Sequence, residues 1–173
     1  MTKLIIRSET PGDLTAIDGI HREAFESDSH SRHDEAAIVR ALRSSGQLTI
    51  SLVAEQEGEV VGHIAISPIA IADGTRDWYG LGPLAVIPKH QGCGIGQRLV
   101  RETLQRLHDS GAAGCVVLGD PEFYGRFGFK PNAALTLPGV SPGNFQSQWF
   151  AGAVPQGVVT YHQSFSAPGN APR

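Results

Sequence analysis

An α/β (α+β) fold is predicted, with a mixed, mostly antiparallel central sheet flanked by helices, and three features of the sequence predict it. Residues 48–87 alternate apolar and polar positions between turn residues, as an antiparallel meander does. Residues 87–118 read as strand, helix and strand, long enough for a right-handed parallel crossover. Two amphipathic helices precede the meander. A chain of 173 residues holds one sizeable core and is too short for two ordinary domains. A single domain over 1–165 is therefore expected, with 166–173 as a disordered tail.

The first strand is the apolar run 4–7, which ends at Thr10-Pro11, where Thr10 can cap and Pro11 suits a first helical position. Leu14, Ile17, Ile20, Ala24 and Phe25 then recur at helical spacing. After a polar stretch over 26–35, a second helix runs through Ile38 and Leu42 to about Ser44, with Gly46 as its stop. Ile50, Leu52 and Ala54 alternate with Ser51 and Val53, and the Glu57-Gly58-Glu59 turn leads into a strand over 60–71. Asp73-Gly74 marks the next turn, before a third strand over 78–87 that Gly80, Gly82 and Pro83 interrupt. Glycine and proline inside a strand imply a bulge or an opening in the ladder. A helix with Ile95, Leu99, Val100, Leu104 and Leu107 on one face follows, then a buried strand over 114–118. Asp120-Pro121 starts a short helix through Tyr124 that Pro131 closes, and the remainder offers two strand candidates around a Pro/Gly-rich loop. The apolar segment 158–161 is a candidate edge for a homodimer or for internal pairing.

Composition removes several classes of function. With 40% hydrophobic and 18% charged residues the chain is globular rather than disordered. A formal net charge of −3 leaves no basic footprint for nucleic acid or an anionic membrane. The longest apolar stretch, 81–88, is far shorter than the roughly 20 residues of a membrane helix, and no signal-peptide pattern opens the sequence, so a cytoplasmic protein is expected. Cys93 and Cys115 are too few for a disulfide framework or a zinc site and read as free thiols.

The segment Gln91-Gly92-Cys93-Gly94-Ile95-Gly96 stands where a strand becomes a helix. Three glycines let the backbone N–H groups of 92–97 approach a ligand closely, and the unpaired amides and dipole of a helix start favour an anion. Lys89, His90 and Arg98 add nearby charge. A Walker loop is excluded, because no Lys followed by Ser or Thr stands at the helix start. The dinucleotide fingerprint fits Gly92 and Gly94, fails at Gln97, and finds a ribose partner in Asp120. The antiparallel meander before it and the lack of alternating helices after Asp120 argue against a doubly wound sheet.

Leu84-Ala85-Val86-Ile87-Pro88 running into Gln91-x-x-Gly94-x-Gly96 resembles the acetyl-CoA motif of the GNAT superfamily. Tyr124-Gly125-Arg126-Phe127-Gly128-Phe129 is similar to that superfamily's Tyr-x-x-x-Gly-Phe segment. The resemblance covers residues 48–131 and implies a splayed parallel strand pair at the CoA site. It implies that the backbone of Leu84, Ala85 and Val86 holds the thioester and pantetheine. The pyrophosphate would lie on the loop from Gln91 through Gly92, Cys93, Gly94, Ile95 and Gly96 to Gln97. Acetyl-CoA is the implied co-substrate and an amine the acceptor, with no metal. Val117, Leu118 and Gly119 stand where many relatives carry a pantetheine-binding Asn.

Acyl transfer to a primary amine has two proton problems. An amine with a pKa near 10.4 costs about 4–5 kcal/mol to supply in its free form at pH 7. The leaving thiolate needs only a nearby donor, and the resemblance assigns that role to Tyr124, set among Phe123, Phe127 and Phe129. No carboxylate stands between Gly80 and Ile87, where some relatives place a glutamate. The base candidates are Glu23, Glu26, Asp28, Glu35, His63 and Glu122, each with an ordinary structural role as its alternative, and a water relay. His30, His33 and Asp34 lack a fourth ligand for a metal. Cys93 at a helix start invites a covalent route, against which direct attack is the superfamily's habit. A non-catalytic acyl-CoA sensor or interaction module is the alternative function.

Overall fold

The computed structural model describes residues 3–29 and 31–166, so residues 167–173 of the expected tail lie outside it. Among the described residues the elements run β1 (Leu4–Ser8), α1 (Leu14–Phe25), α2 (Glu35–Ser44), β2 (Ile50–Gln56), β3 (Glu59–Ile71) and β4 (Trp78–Val86). They continue α3 (Ile95–Asp109), β5 (Gly114–Leu118), α4 (Pro121–Gly125), β6 (Lys130–Pro131), β7 (Leu135–Thr136), β8 (Phe145–Trp149) and β9 (Gly157–Tyr161). The sheet order is β1-β2-β3-β4-β5-β8-β6, with β9 joined to the far half of β3 and to β7.

Neighbours from β1 to β4 are antiparallel, and β4 and β5 form a parallel pair across α3. The mixed, mostly antiparallel sheet is the one the sequence predicts. Alternation in β2 and β3 sends Leu52, Ile64 and Ile66 into the cluster that also holds Ile95, Leu99 and Leu107 of α3. The opposite face places Val53 and Ala65 against Ile17 of α1 and Val39 of α2. Each face of the sheet is thus covered, and each fully buried Leu or Ile contributes about 1.5–3 kcal/mol relative to exposure.

The opening in β4 is where Gly82 and Pro83 predict it. Ile66 faces Leu81 and Ile64 faces Leu84, so β4 spends one residue more than β3 at that point. The β4–β5 ladder runs from Trp78 opposite Gly114 to Leu81 opposite Val117 and stops there. Beyond Leu81 the two strands part, and the entrance of α3 sits beside the gap.

Two expectations need correction, and the segment 158–161 takes the internal pairing, one of its two readings. The helix begun at Pro121 ends at Gly125, and Pro131 belongs to β6, which pairs with β8. The C-terminal part makes three strands rather than two, because β8 inserts between β5 and β6. Its sequence, Phe-Gln-Ser-Gln-Trp, carries polar residues that hid it, and Gln146 is nonetheless buried. The candidate dimer edge at 158–161 is β9, paired within the chain to Ile69–Ile71 of β3.

Candidate active site

Beyond Val86 the chain makes a 3-10 turn, Pro88–His90, and the Gln91 side-chain amide donates back to the Val86 carbonyl at 2.9 Å. This bond ties the end of β4 to the loop that starts α3. Gly92 and Gly94 have φ of 77° and 83°, the left-handed region in which an L side chain is strained. Gly94 caps the helix, and the first α3 amide with a backbone partner is that of Arg98, which donates to the Gly94 carbonyl at 3.1 Å. The earlier amides are left for a ligand, as at any helix start.

These groups line a groove of about 420 Å³. Leu84, Val86, Gln91, Gly92, Gly94, Ile95, Gly96 and Gln97 from the expected set all border it. Three expected residues do not: Ala85, Cys93 and Tyr124, whose neighbour Phe123 borders the groove instead. Ala85 is buried with 3% exposure, and exposed Cys93 turns its thiol toward the Gln91 carbonyl at 3.7 Å. Of the nearby cations, His90 borders the groove, while Arg98 donates to the Leu4 carbonyl at 3.3 Å, toward β1. Sequence reasoning missed Phe123 and Arg126 as groove residues; the Arg126 guanidinium lies 5.1 Å over the Phe123 ring. Their signal was present in the segment around Tyr124, where they were read only as its neighbours.

Tyr124 is held by α4, which Asp120 caps by accepting the Glu122 amide at 2.9 Å. That cap absorbs the carboxylate a dinucleotide reading would have aimed at a ribose. The half-buried Tyr124 ring meets Phe123 edge-on at 4.9 Å and Phe129 at 5.9 Å. It also packs against Gly119, where an added Cβ would be 2.5 Å from the ring. Burial, and secondarily Cys115, push the phenol up, so Tyr124 is a proton donor at neutral pH. Burial alone pushes the Cys115 thiol up and leaves it inert.

The base candidates divide into two groups. Glu23, Glu26, Glu35 and His33 border a second groove of about 390 Å³ between α1 and α2. Glu35 there accepts the Ser31 hydroxyl at 2.8 Å. Asp28 lies between these helices, and Glu122 is exposed on α4. Asp34 is 3.8 Å from Arg32, His30 lies outside the described residues, and among those described no His/Cys/Asp/Glu group could hold a metal. His63, by contrast, is fully buried in β3 and hydrogen-bonded to His21 of α1 at 2.8 Å and to Ser51 of β2 at 2.8 Å. A Cβ at Gly80 would stand 2.9 Å from the Tyr161 ring, so no side chain fits there.

A bulged strand that leaves its parallel neighbour beside a glycine-capped helix start defines a class, the acyltransferases that hold a CoA thioester in the strand gap. The particular family follows from comparison. The Acetyltransferase (GNAT) domain model matches residues 47–131. The uncharacterized N-acetyltransferase YhbS of Escherichia coli K12 is 41% identical over 170 residues, spanning 94% of this chain and 99% of that protein. A GNAT family acetyltransferase from Brucella melitensis, solved in complex with acetyl-CoA, superposes with a TM-score of 0.84 at 45% identity, covering 94% of this chain and 98% of that one. Escherichia coli YhbS in complex with CoA gives 0.87 at 38% identity, covering 100% and 97%. The chain belongs to the GNAT family of acetyl-CoA-dependent N-acetyltransferases.

Proposed function

We propose that the chain acetylates a primary amine by direct attack on acetyl-CoA bound in the β4–α3 groove. The observation that carries this reading is the groove itself, in which the splayed end of β4, the unpaired amides at the start of α3 and Phe123 of α4, next to Tyr124 in sequence, border one space. Glycines at 92, 94 and 96 leave no side chains of their own between those amides and a pyrophosphate, and Arg126 supplies positive charge at its rim. The freed edge of β4 from Leu84 to Val86 offers main-chain groups to pantetheine.

The amine nitrogen bonds to the thioester carbon as the carbon–sulfur bond breaks. One amine proton is lost to a base or water, and the departing sulfur takes a proton from the Tyr124 hydroxyl. A phenol raised by burial stays protonated, so the donor is ready at neutral pH. Cys93 has no part in this route. The free state of both thiols fits a reducing, cytoplasmic setting, and the single domain spans 1–165.

The test is release of free thiol from acetyl-CoA in the presence of alkylamines, polyamines and peptide N-termini. Amine-dependent release with the matching acetylated product supports the reading. Tight CoA binding with no release from any amine would instead make the chain a sensor or interaction module.

A further inference from the structure

A polar chain that the reaction above does not use crosses the α1–α2 side of the sheet. Glu9, just after β1, accepts both Nε and Nη2 of Arg43 at 2.8 and 2.9 Å. Ser51 of β2 donates its one hydroxyl hydrogen to Glu9. Burial opposes charge at Glu9, but His63, whose Nε2 lies 3.8 Å away, and the hydrogen bonds from Arg43 and Ser51 outweigh it and hold the carboxyl well below the usual range. His63 Nε2 lies 2.8 Å from Ser51 Oγ, and His63 Nδ1 lies 2.8 Å from His21 Nε2. Both rings are buried, at 0% and 1% exposure, and burial is the first cause pushing each below its ordinary value. Among the described residues His21 Nδ1 has no partner.

The anionic end dictates the direction of every bond in this chain. The Ser51 hydrogen is committed to the carboxylate, so Ser51 Oγ must accept from His63 Nε2–H. A neutral His63 then has a bare Nδ1, which accepts from His21 Nε2–H. Neutral His21 in turn is left with a bare Nδ1. The unpaired lone pair is therefore a consequence of the other four residues rather than of His21 alone.

His21 borders the α1–α2 groove with Glu23, Glu26, His33 and Glu35. Arg22, the groove's arginine, is paired with Asp18 at 3.0 Å, so the carboxylates set the sign of the groove and favour a cation. On the other side, His63 stands opposite Ala85, in the stretch of β4 that borders the strand gap. The histidine pair thus bridges the acidic groove and the reacting strand.

We propose that Glu9, acting through Ser51 and His63, locks His21 as its Nε2-protonated tautomer, so that Nδ1 accepts a hydrogen bond, directly or through one water, from a primary alkylammonium held in the α1–α2 groove. The inference rests on the acetyl-transfer reading for why an amine enters, and it makes the four residues a positioning chain for that amine. A neutral acceptor at this point holds an N–H without repelling the cation that carries it.

The test is nitrogen-15 NMR of the full chain labelled at histidine, which reads each ring's tautomer, with n-propylammonium as probe and 1-propanol as the uncharged control. Wild type should show neutral Nε2–H rings at positions 21 and 63, and the His21 Nδ1 resonance should move with n-propylammonium and not with 1-propanol. Ser51→Ala and Glu9→Gln should leave position 21 a tautomer mixture and weaken the probe on the order of tenfold, with CoA affinity and circular dichroism unchanged. An Nδ1–H ring at His21 in wild type, or an Nδ1 resonance unmoved by excess n-propylammonium, overturns the inference. Thiol release measured on the same samples separates the two readings. Release with an unmoved Nδ1 leaves the transferase standing and removes the positioning chain; a shifted Nδ1 without release does the reverse.

Discussion

The proton-donor role proposed for Tyr124 depends on its surroundings as much as on its hydroxyl. With the phenol kept protonated by burial, Tyr124→Phe removes the donor and little packing, so kcat should fall about 100-fold while CoA affinity stays within about twofold. Steady-state kinetics and calorimetry check the pair, and unchanged turnover would remove Tyr124 from the reaction. Gly119→Ala attacks the same side chain from behind. Its Cβ would stand 2.5 Å from the ring, so it should cost about 1–3 kcal/mol in urea unfolding and lower turnover as the ring is displaced. Tyr124 was legible in the sequence because its segment is contiguous. The His21–His63–Ser51–Glu9 chain was not, although His63 was singled out, because its partners lie 42 and 12 residues away and only the β2–β3 register and the α1 packing bring them together.

At the level of elements, the start of α3 carries the proposed CoA site. Gly94→Ala places a side chain at φ 83°, which should destabilise the fold by about 1–2 kcal/mol and weaken CoA binding by putting a methyl group beside the pyrophosphate amides. Thermal melts and a CoA titration measure both effects; unaltered CoA affinity would move the anion away from this loop. The helix and the bulge before it were readable for a physical reason. Apolar spacing from Ile95 to Leu107, three glycines and the Gly82-Pro83 interruption are each signals carried by neighbouring residues. β6 and β8 were not readable, since Lys130-Pro131 and Gln146-Ser147-Gln148 become strands only through pairing with each other and with β5. Their burial is a product of the assembled sheet and leaves no apolar period in the sequence.

Across the whole molecule, buried ionisable groups should make stability depend on pH well above the carboxylate range. His21 is pushed from 6.5 to about 3, by burial first and then by His63 and Arg43. Below pH 6.5 the unfolded chain takes up a proton that the folded chain refuses, so stability falls as pH falls. Between pH 6.5 and 5 the loss from His21 is about 2 kcal/mol, and His21→Gln should flatten that slope in urea unfolding. Asp13, lowered from 3.8 to about 2 chiefly by its bond to Arg7, stabilises the fold above pH 4 and loses that contribution as pH falls through 2. On the proposed reading, the sheet, with its faces covered and the β4–β5 parallel pair opened beyond Leu81, holds a thioester between a helix start and a phenol. A crystal structure of the chain with acetyl-CoA tests that most directly. Pyrophosphate oxygens should lie about 3 Å from backbone amides within 92–97, with the Tyr124 hydroxyl in hydrogen-bonding reach of the sulfur. Pyrophosphate bound away from α3, or a sulfur beyond the reach of Tyr124, would contradict it.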